Sequence, residues 1–420
     1  MTRLLAYTSP ARGHLYPVLP ILTELQRRGH DTALRTLASQ VEHAGALRID
    51  AGAISKRVEE IELDDYRGRS QATRGKRALS TFVTRAKHEA PDLSGAIERH
   101  RPDALLIDVN CWGAATAAEA SGLPWATYSP YLLPLPSRNA PPFGLGLAPM
   151  SGAPGRARNR LLGRLTNPVV DRAVIPAMNE LRAEHGLPML ETFSELLLRP
   201  PLVLALTAEG FEYPRGDWPA NVRLVGPINW DPSHPTPQEA SAWLEEMGNP
   251  LVLVTCSTER QRDERLVGVA LQALPAAGMS VIATTAAHDP RAFEAPPGSR
   301  VVRFTSHEPI LQRAACVVCH GGMGITQKAL AAGVPVVVVP FGRDQLETAR
   351  RVEFARAGVR LSPRRLTPAR LARAVHTAID RREGAKRVSG TYAAAGGAIT
   401  AAAAIEALLS TPAAPSILRR

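Results

Sequence analysis

Aromatic residues make up only 5% of this 420-residue chain, too few for the stacking platforms that bind single-stranded nucleic acid. No zinc-finger spacing or RNA-binding aromatic motif occurs either. The basic balance, 50 Lys and Arg against 39 Asp and Glu for a net charge of +11, therefore points away from nucleic acid and toward an anionic small ligand. Cysteine is scarce: Cys111, Cys256, Cys316 and Cys319 do not make a disulfide framework. Cys316, Cys319 and His320 spell CVVCH, a formal match to c-type haem attachment. Val317 and Val318 belong to an apolar strand, however, and the amino terminus MTRLLAYTSPARGH has neither secretory nor transit character. No second ligand cluster accompanies the pair, so the cysteines are expected to be structural. No run of roughly 18 apolar residues occurs, and the chain is expected to be cytoplasmic with no transmembrane segment. An Asp-x-Asp cluster at a strand end, a Gly-x-Ser-x-Gly elbow and a Walker loop are all missing. Neither a metal nor another cofactor is expected.

What is present is an alternation of short apolar runs and helical periods. Leu4 to Tyr7 reads as a strand and Ser9 to Gly13 as a turn; Val18, Leu22 and Leu25 then recur at helical spacing up to Gly29. Strands follow at Thr32 to Leu37, Ala104 to Ile107, Trp125 to Tyr128 and Leu202 to Leu206, with helices such as Ala78 to Lys87 and Ala114 to Ala120 between them. Ser129 to Ala153, rich in Pro, Leu and Gly, reads as a long irregular loop. Arg156, Arg158, Arg160 and Arg164 open a helical stretch reaching Glu184, a solvated face in preference to an anionic-lipid contact. Glu212 to Gly248, dense in Pro, Asp and Trp, reads as an interdomain connection. Alternation restarts with Leu251 to Cys256, a helix from Asp263 to Leu274, Val281 to Thr284 and Arg300 to Phe304. Thr367 and Pro368 start a later helix, and an Ala-rich helix runs to about Leu409 before a short basic tail.

The densest chemistry lies between Phe304 and Gln345. A buried strand, Ala315 to Cys319, ends at His320; Gly321, Gly322 and Gly324 follow, then a helix beginning near Ile325. Glycines admit a close ligand, and the free N–H groups of a helix start favour a phosphate. A second apolar run, Val334 to Pro340, delivers Phe341, Gly342, Arg343, Asp344 and Gln345 to the edge where ligands of open α/β sheets bind.

This stretch resembles the donor-binding signature of the family 1 glycosyltransferases, and the resemblance extends more loosely over nearly the whole chain. It implies the GT-B architecture: an α/β fold of two Rossmann-like, doubly wound parallel-sheet domains facing across a cleft. Residues 1-230 would form the acceptor-binding domain, 231-248 the linker, 249-400 the nucleotide-sugar-binding domain and 401-420 a helix with the basic tail. Carried over, His320, Gly322, Met323, Gly324 and Ile325 hold the diphosphate, with Ser257 and Thr258 as the other half of that site. Asp344 and Gln345 hold sugar hydroxyls. Phe304 stands where the family has a base-stacking Trp, and Thr305 follows it. GHLYP matches the family's GHxxP turn, which makes His14 the base and Asp108, at the end of its strand, the partner that orients it. Without the resemblance His14 reads more readily as a turn histidine than as a base, and Asp108 as a cap for the next helix. Trp112 and Phe143 are the acceptor-binding candidates.

Departures carry information. Lys328 replaces a Glu that reaches the ribose hydroxyls in many members, Ile325 replaces a Ser beside the phosphates, and His307 replaces a Gln. A missing Glu suits a donor without the ribose 2′-hydroxyl, so a dTDP-sugar is expected ahead of a UDP-sugar. The resulting expectation is an inverting transfer of a hexose or deoxyhexose to an apolar natural product. A nucleotide-sugar epimerase of the same fold and a non-catalytic auxiliary protein are the rivals. A homodimer stays open.

Overall fold

The computed structural model describes residues 1–231, 244–259 and 261–410. Most of the 231-248 linker and the basic tail expected after Ser410 lie outside them.

Two parallel sheets organise the chain. The first has seven strands in the order β3-β2-β1-β4-β5-β6-β7: β1 (Arg3–Tyr7), β2 (Asp31–Thr36), β3 (Asp50–Ala53), β4 (Ala104–Asp108), β5 (Trp125–Ser129), β6 (Leu202–Ala205) and β7 (Val222–Leu224). The second has six in the order β10-β9-β8-β11-β12-β13: β8 (Leu251–Thr255), β9 (Ser280–Thr284), β10 (Ser299–Val302), β11 (Ala314–Cys319), β12 (Val336–Val338) and β13 (Gly358–Arg360). Every pairing between these strands is parallel. Parallel strands need crossovers, and the long helices supply them: α1 (Arg12–Arg27), α2 (Gln71–His100), α3 (Trp112–Ser121), α4 (Gly152–Glu184), α5 (Glu264–Ala273), α6 (Met323–Ala331), α7 (Gln345–Phe354), α8 (Pro368–Ile379), α9 (Arg382–Ala395) and α10 (Ala398–Ser410).

The apolar runs are continuous because both faces of each sheet are covered. In β1, Leu4 and Ala6 enter one core while Leu5 and Tyr7 enter another. In β8, Leu251 and Leu253 face one side and Val252 and Val254 the other. The same alternation settles the cysteines. Cys316 and Cys319 lie three residues apart on β11, so their side chains enter opposite cores and cannot share a ligand. Burial pushes the Cys319 thiol up to about 11.

Two sequence expectations shift. The Glu212 to Gly248 connection contains β7, a three-residue edge strand too short to show a hydrophobic period. The Ala-rich carboxyl end, from Arg382 to Ser410, is long and apolar enough by composition to cross a bilayer, but Gly396 and Gly397 divide it. Its last helix, α10, returns to the first lobe, where Ala401, Ala402 and Ile405 join the core beneath α1. Glu406 accepts from Arg28 at 2.6 Å and pairs with His30 at 3.1 Å.

The lobes meet through polar contacts around the cleft. Arg343 forks onto Asp65 at 2.8 to 3.2 Å. Arg351 reaches Glu212 at 2.9 Å, and Glu347 accepts from the amides of Gly144 and Gly146 at 3.0 and 2.7 Å. These contacts set the two strand-end edges opposite each other.

Candidate active site

Between the edges lies a cavity of about 1110 Å³. On the first-lobe side, the chain leaves β1, turns at Ser9 and Pro10 and enters α1, which puts His14 in the first helical turn. Asp108 ends the neighbouring strand β4 and is wholly buried. Its Oδ2 accepts from His14 Nδ1 at 2.8 Å, from the Ser9 amide and hydroxyl at 3.3 and 3.2 Å and from the Tyr128 hydroxyl at 3.3 Å. Its Oδ1 accepts from the Asn110 amide at 2.8 Å. Burial works to raise this carboxyl, but the His14 charge and these hydrogen bonds bring it below the usual aspartate value. With the proton of His14 on Nδ1, the lone pair of Nε2 faces the cavity. The Asn110 side-chain nitrogen stands 3.4 Å from that atom, and the Tyr131 hydroxyl donates to Asn110 Oδ1 at 2.8 Å. Sequence reasoning passed over Asn110 and Tyr131, although Asn110 sits only two residues after Asp108.

On the second-lobe side, β11 ends at His320 and the chain turns through Gly321, whose φ of +97° suits only glycine. Gly322 is the N-cap of α6. A Cβ there would meet His320 Nε2 at 2.5 Å, so glycine is what lets the imidazole lie against the helix start. The amides of Met323, Gly324 and Ile325 open that helix with no carbonyl a turn before them. They form an anion cradle with the macrodipole behind it. Burial holds His320 below the ordinary histidine value, with Asp263 pulling it up and Arg343 pushing it down. Ser257 is buried in the turn after β8 and Thr258 is exposed at the same rim. Phe304 is 39% exposed and therefore not a core residue; Arg12 of the opposite lobe sits 5.6 Å from its ring centre. Thr305 is buried beside it, with its hydroxyl lacking any hydrogen-bond partner.

Asp344 caps α7, and burial raises its carboxyl although the Arg343 and His14 charges oppose the rise. Gln345, expected to hold sugar hydroxyls, borders the cavity and also makes contacts within its own lobe. Its Oε1 accepts from the amides of Phe341 and Gly342 at 2.7 and 3.0 Å, and its Nε2 donates to Gln261. The side chain thus holds the turn that presents Asp344.

Lys328 is largely buried and ion-paired with Asp231, the first residue of the expected linker. His307, pushed down to about 4 by burial, is neutral and lies 3.3 Å from the Thr284 hydroxyl. Trp112 is 3% exposed; its indole N–H donates to the Val109 carbonyl at 3.1 Å, and its ring packs edge-on between Phe82 and Phe193. It supports the cavity wall more than it projects into it. Phe143 is half-buried on the opposite rim. Of the expected site residues, all but Asp108 border the one cavity, and Asp108 stands directly behind His14. Asp65, Glu259 and Arg343 also border it; nothing local in the sequence ties Asp65 to a site nearly 280 residues downstream.

Comparison with known proteins agrees with the fold. Residues 269–407 match the family model described as "Erythromycin biosynthesis protein CIII-like, C-terminal domain". The chain is 35% identical, over 97% of its length and 99% of the relative's, to 4'-demethylrebeccamycin synthase of Lentzea aerocolonigenes. Its fold is similar to the glycotransferase of kitacinnamycin, with a TM-score of 0.75 and 21% identity over 97% of this chain and 98% of that one. It is also similar to the glycosyltransferase VinC in complex with dTDP, with a TM-score of 0.69 and 20% identity over 97% and 99%.

Proposed function

The chain belongs to the glycosyltransferases of natural-product biosynthesis, and from that premise we propose that it moves a hexose or deoxyhexose from a dTDP-sugar, ahead of a UDP-sugar, to a hydroxyl of an apolar acceptor in the cytoplasm. The observation that carries this reading is that His14, backed by Asp108, and the His320–Ile325 cradle border one cavity. The acceptor hydroxyl approaches Nε2 of His14, which takes its proton as the oxygen attacks the anomeric carbon; Asp108 steadies the imidazolium that results. The bond to the diphosphate breaks on the far side of that carbon, and its growing charge falls to the helix start and His320. Attack opposite the leaving group inverts the anomeric centre. The cradle supplies the charge stabilisation that a metal would otherwise give, so transfer proceeds without one.

The dTDP preference is supported by Lys328, which stands where many family members carry a ribose-reading Glu and which engages Asp231. VinC, a neighbour in fold, was crystallised with dTDP. The apolar acceptor is supported by the cavity rim of Pro134, Leu135, Phe143 and Leu145. Mass spectrometry of the protein with a panel of nucleotide sugars and aromatic or macrocyclic alcohols tests the reading: a product heavier by one hexosyl or deoxyhexosyl unit is expected, formed equally in EDTA. Sugar interconversion without an acceptor would assign an epimerase instead. UDP competing tenfold more tightly than dTDP would overturn the donor preference.

A further inference from the structure

Beneath the phosphate cradle lies a cluster that the transfer scheme leaves unused. Asp263, immediately before α5, is wholly buried. Its Oδ2 accepts from the Ser257 amide at 2.6 Å and its Oδ1 pairs with His288 Nε2 at 3.0 Å. His320 Nδ1 lies 3.9 Å from the same Oδ2. That nitrogen is buried and makes no well-aligned hydrogen bond, although the Thr255 carbonyl also pulls on the ring, and the side chain is only 9% exposed. A buried polar atom without a full partner is destabilising. Here the carboxylate oxygen that could complete it stands at 3.9 Å, just beyond hydrogen-bond reach. The other ring nitrogen, Nε2, lies over Gly322 at the helix start. One imidazole therefore spans the distance between a buried carboxylate and the place where a phosphate binds.

We propose that Asp263 is a positioning residue that makes His320 a cationic clamp: when a nucleoside diphosphate occupies the helix start, His320 takes up one proton, and its Nδ1–H closes onto Asp263 while its Nε2–H meets the phosphate. The inference rests on the donor site assigned in the preceding section. The proton comes from solvent and returns to it when the diphosphate leaves. Without ligand, the groups facing His320 hold it neutral. Burial disfavours the cation and the Arg343 guanidinium repels it, against the pull of Asp263 and the Thr255 carbonyl. His288, on the β9–β10 connection, occupies the other oxygen of the carboxylate, with Glu264 3.8 Å beyond it. A bound diphosphate adds at least two negative charges at the Nε2 end and reverses the balance. The arrangement ties charge on the clamp to the presence of the leaving group.

The cluster has one rival use. The ligand atoms of Cys256, Asp263 and His288 lie within 4.8 Å of one another, close enough to hold a metal ion. Oδ1 of Asp263 is already paired with His288 Nε2 at 3.0 Å, whereas Oδ2 carries only the Ser257 amide and keeps a lone pair for His320.

Calorimetry of dTDP and UDP binding to the full chain at pH 7.5, in buffers of different ionisation enthalpy, tests the proposal. Wild type is expected to take up close to one proton per diphosphate bound. Asp263→Asn keeps an acceptor for the Ser257 amide but removes the charge; uptake should fall below about a third of a proton, with affinity weakened roughly tenfold. His320→Gln should abolish the uptake, and it decides the matter if Asp263→Asn does not fold. Wild-type uptake in either variant overturns the proposal, as does one zinc ion per chain in the purified protein. Diphosphate binding without proton uptake in wild type overturns this inference alone. No diphosphate binding at all overturns the donor site and the inference with it.

Discussion

Two histidines at the carboxyl edges of two sheets face the same cavity, each with a buried aspartate behind it, and they differ in one distance. His14 and Asp108 are closed at 2.8 Å; His320 and Asp263 stand open at 3.9 Å. The closed pair has its tautomer fixed before any ligand arrives, with Ser9, Tyr128 and Asn110 holding the carboxylate from the other directions. That suits a base, whose lone pair must already face the acceptor. The open pair suits a binding group, whose charge belongs only to the occupied site. The difference teaches that the same two residue types, brought to the carboxyl edges of the two sheets from different positions on the chain, are specialised by their second partners. In the first lobe those partners complete the carboxylate around its histidine. In the second, Ser257 and His288 engage it first, and His320 waits.

The largest expected effect breaks the closed pair. His14→Ala should lower the transfer rate about 10³-fold while leaving dTDP affinity within about twofold, because the phosphate cradle lies in the other lobe. Asp108→Asn, which leaves the ring in place but weakens its tautomer control, should cost about 10²-fold in kcat with the same unchanged donor affinity. Stopped or steady-state assays beside calorimetry separate the two quantities; an equal loss of binding in either variant would merge the roles of the lobes.

Gly322→Ala acts on the open pair. The added methyl group meets His320 Nε2 at 2.5 Å and must displace the ring from the helix start. Donor KM should rise roughly tenfold with a smaller change in kcat at saturating donor. A fall in kcat alone would show that the imidazole is not part of donor binding.

The smallest expected effect concerns stability and again separates the lobes. Under the closed pair, Glu89 is 1% exposed and accepts from the Gly113 amide at 3.0 Å. Burial pushes its carboxyl up to about 8. A raised carboxyl belongs to the folded state in its neutral form, so its contribution is complete below the unfolded value of 4.5 and is lost as pH rises through 8. Glu89→Gln should therefore raise Tm by about 3 °C at pH 8 and change it little at pH 5, which thermal unfolding at the two pH values measures. An equal gain at both would mean that Glu89 is not titrating.

Much of this arrangement was legible in the residues. The strands of both sheets announce themselves as unbroken apolar runs because parallel strands are covered on both faces, and His320 with its glycines stands out as a strand end feeding a helix start. Shorter strands did not. β3 and β7 are edge strands of four and three residues, and a period cannot be seen in so short a segment. Gln345 was legible only in its spacing, which is that of a sugar ligand; its contacts with the Phe341–Gly342 turn and Gln261 come from the fold. Lys328 is visible in the sequence only as a replacement for a Glu; its pairing with Asp231 and its burial come from the fold.

By itself, the sequence determined the two alternating halves, the phosphate-type helix start and the two strand-end histidines, because periodicity, glycine spacing and residue chemistry act over a few neighbouring positions. Only the tertiary structure decided which carboxylate meets which imidazole and at what distance. Those partners are separated by 94 residues in one lobe and 57 in the other, and their approach depends on strand order and helix packing that no local pattern encodes. Tertiary packing also sent the last helix back to the first lobe, where an apolar face left open by α1 is the surface it can bury.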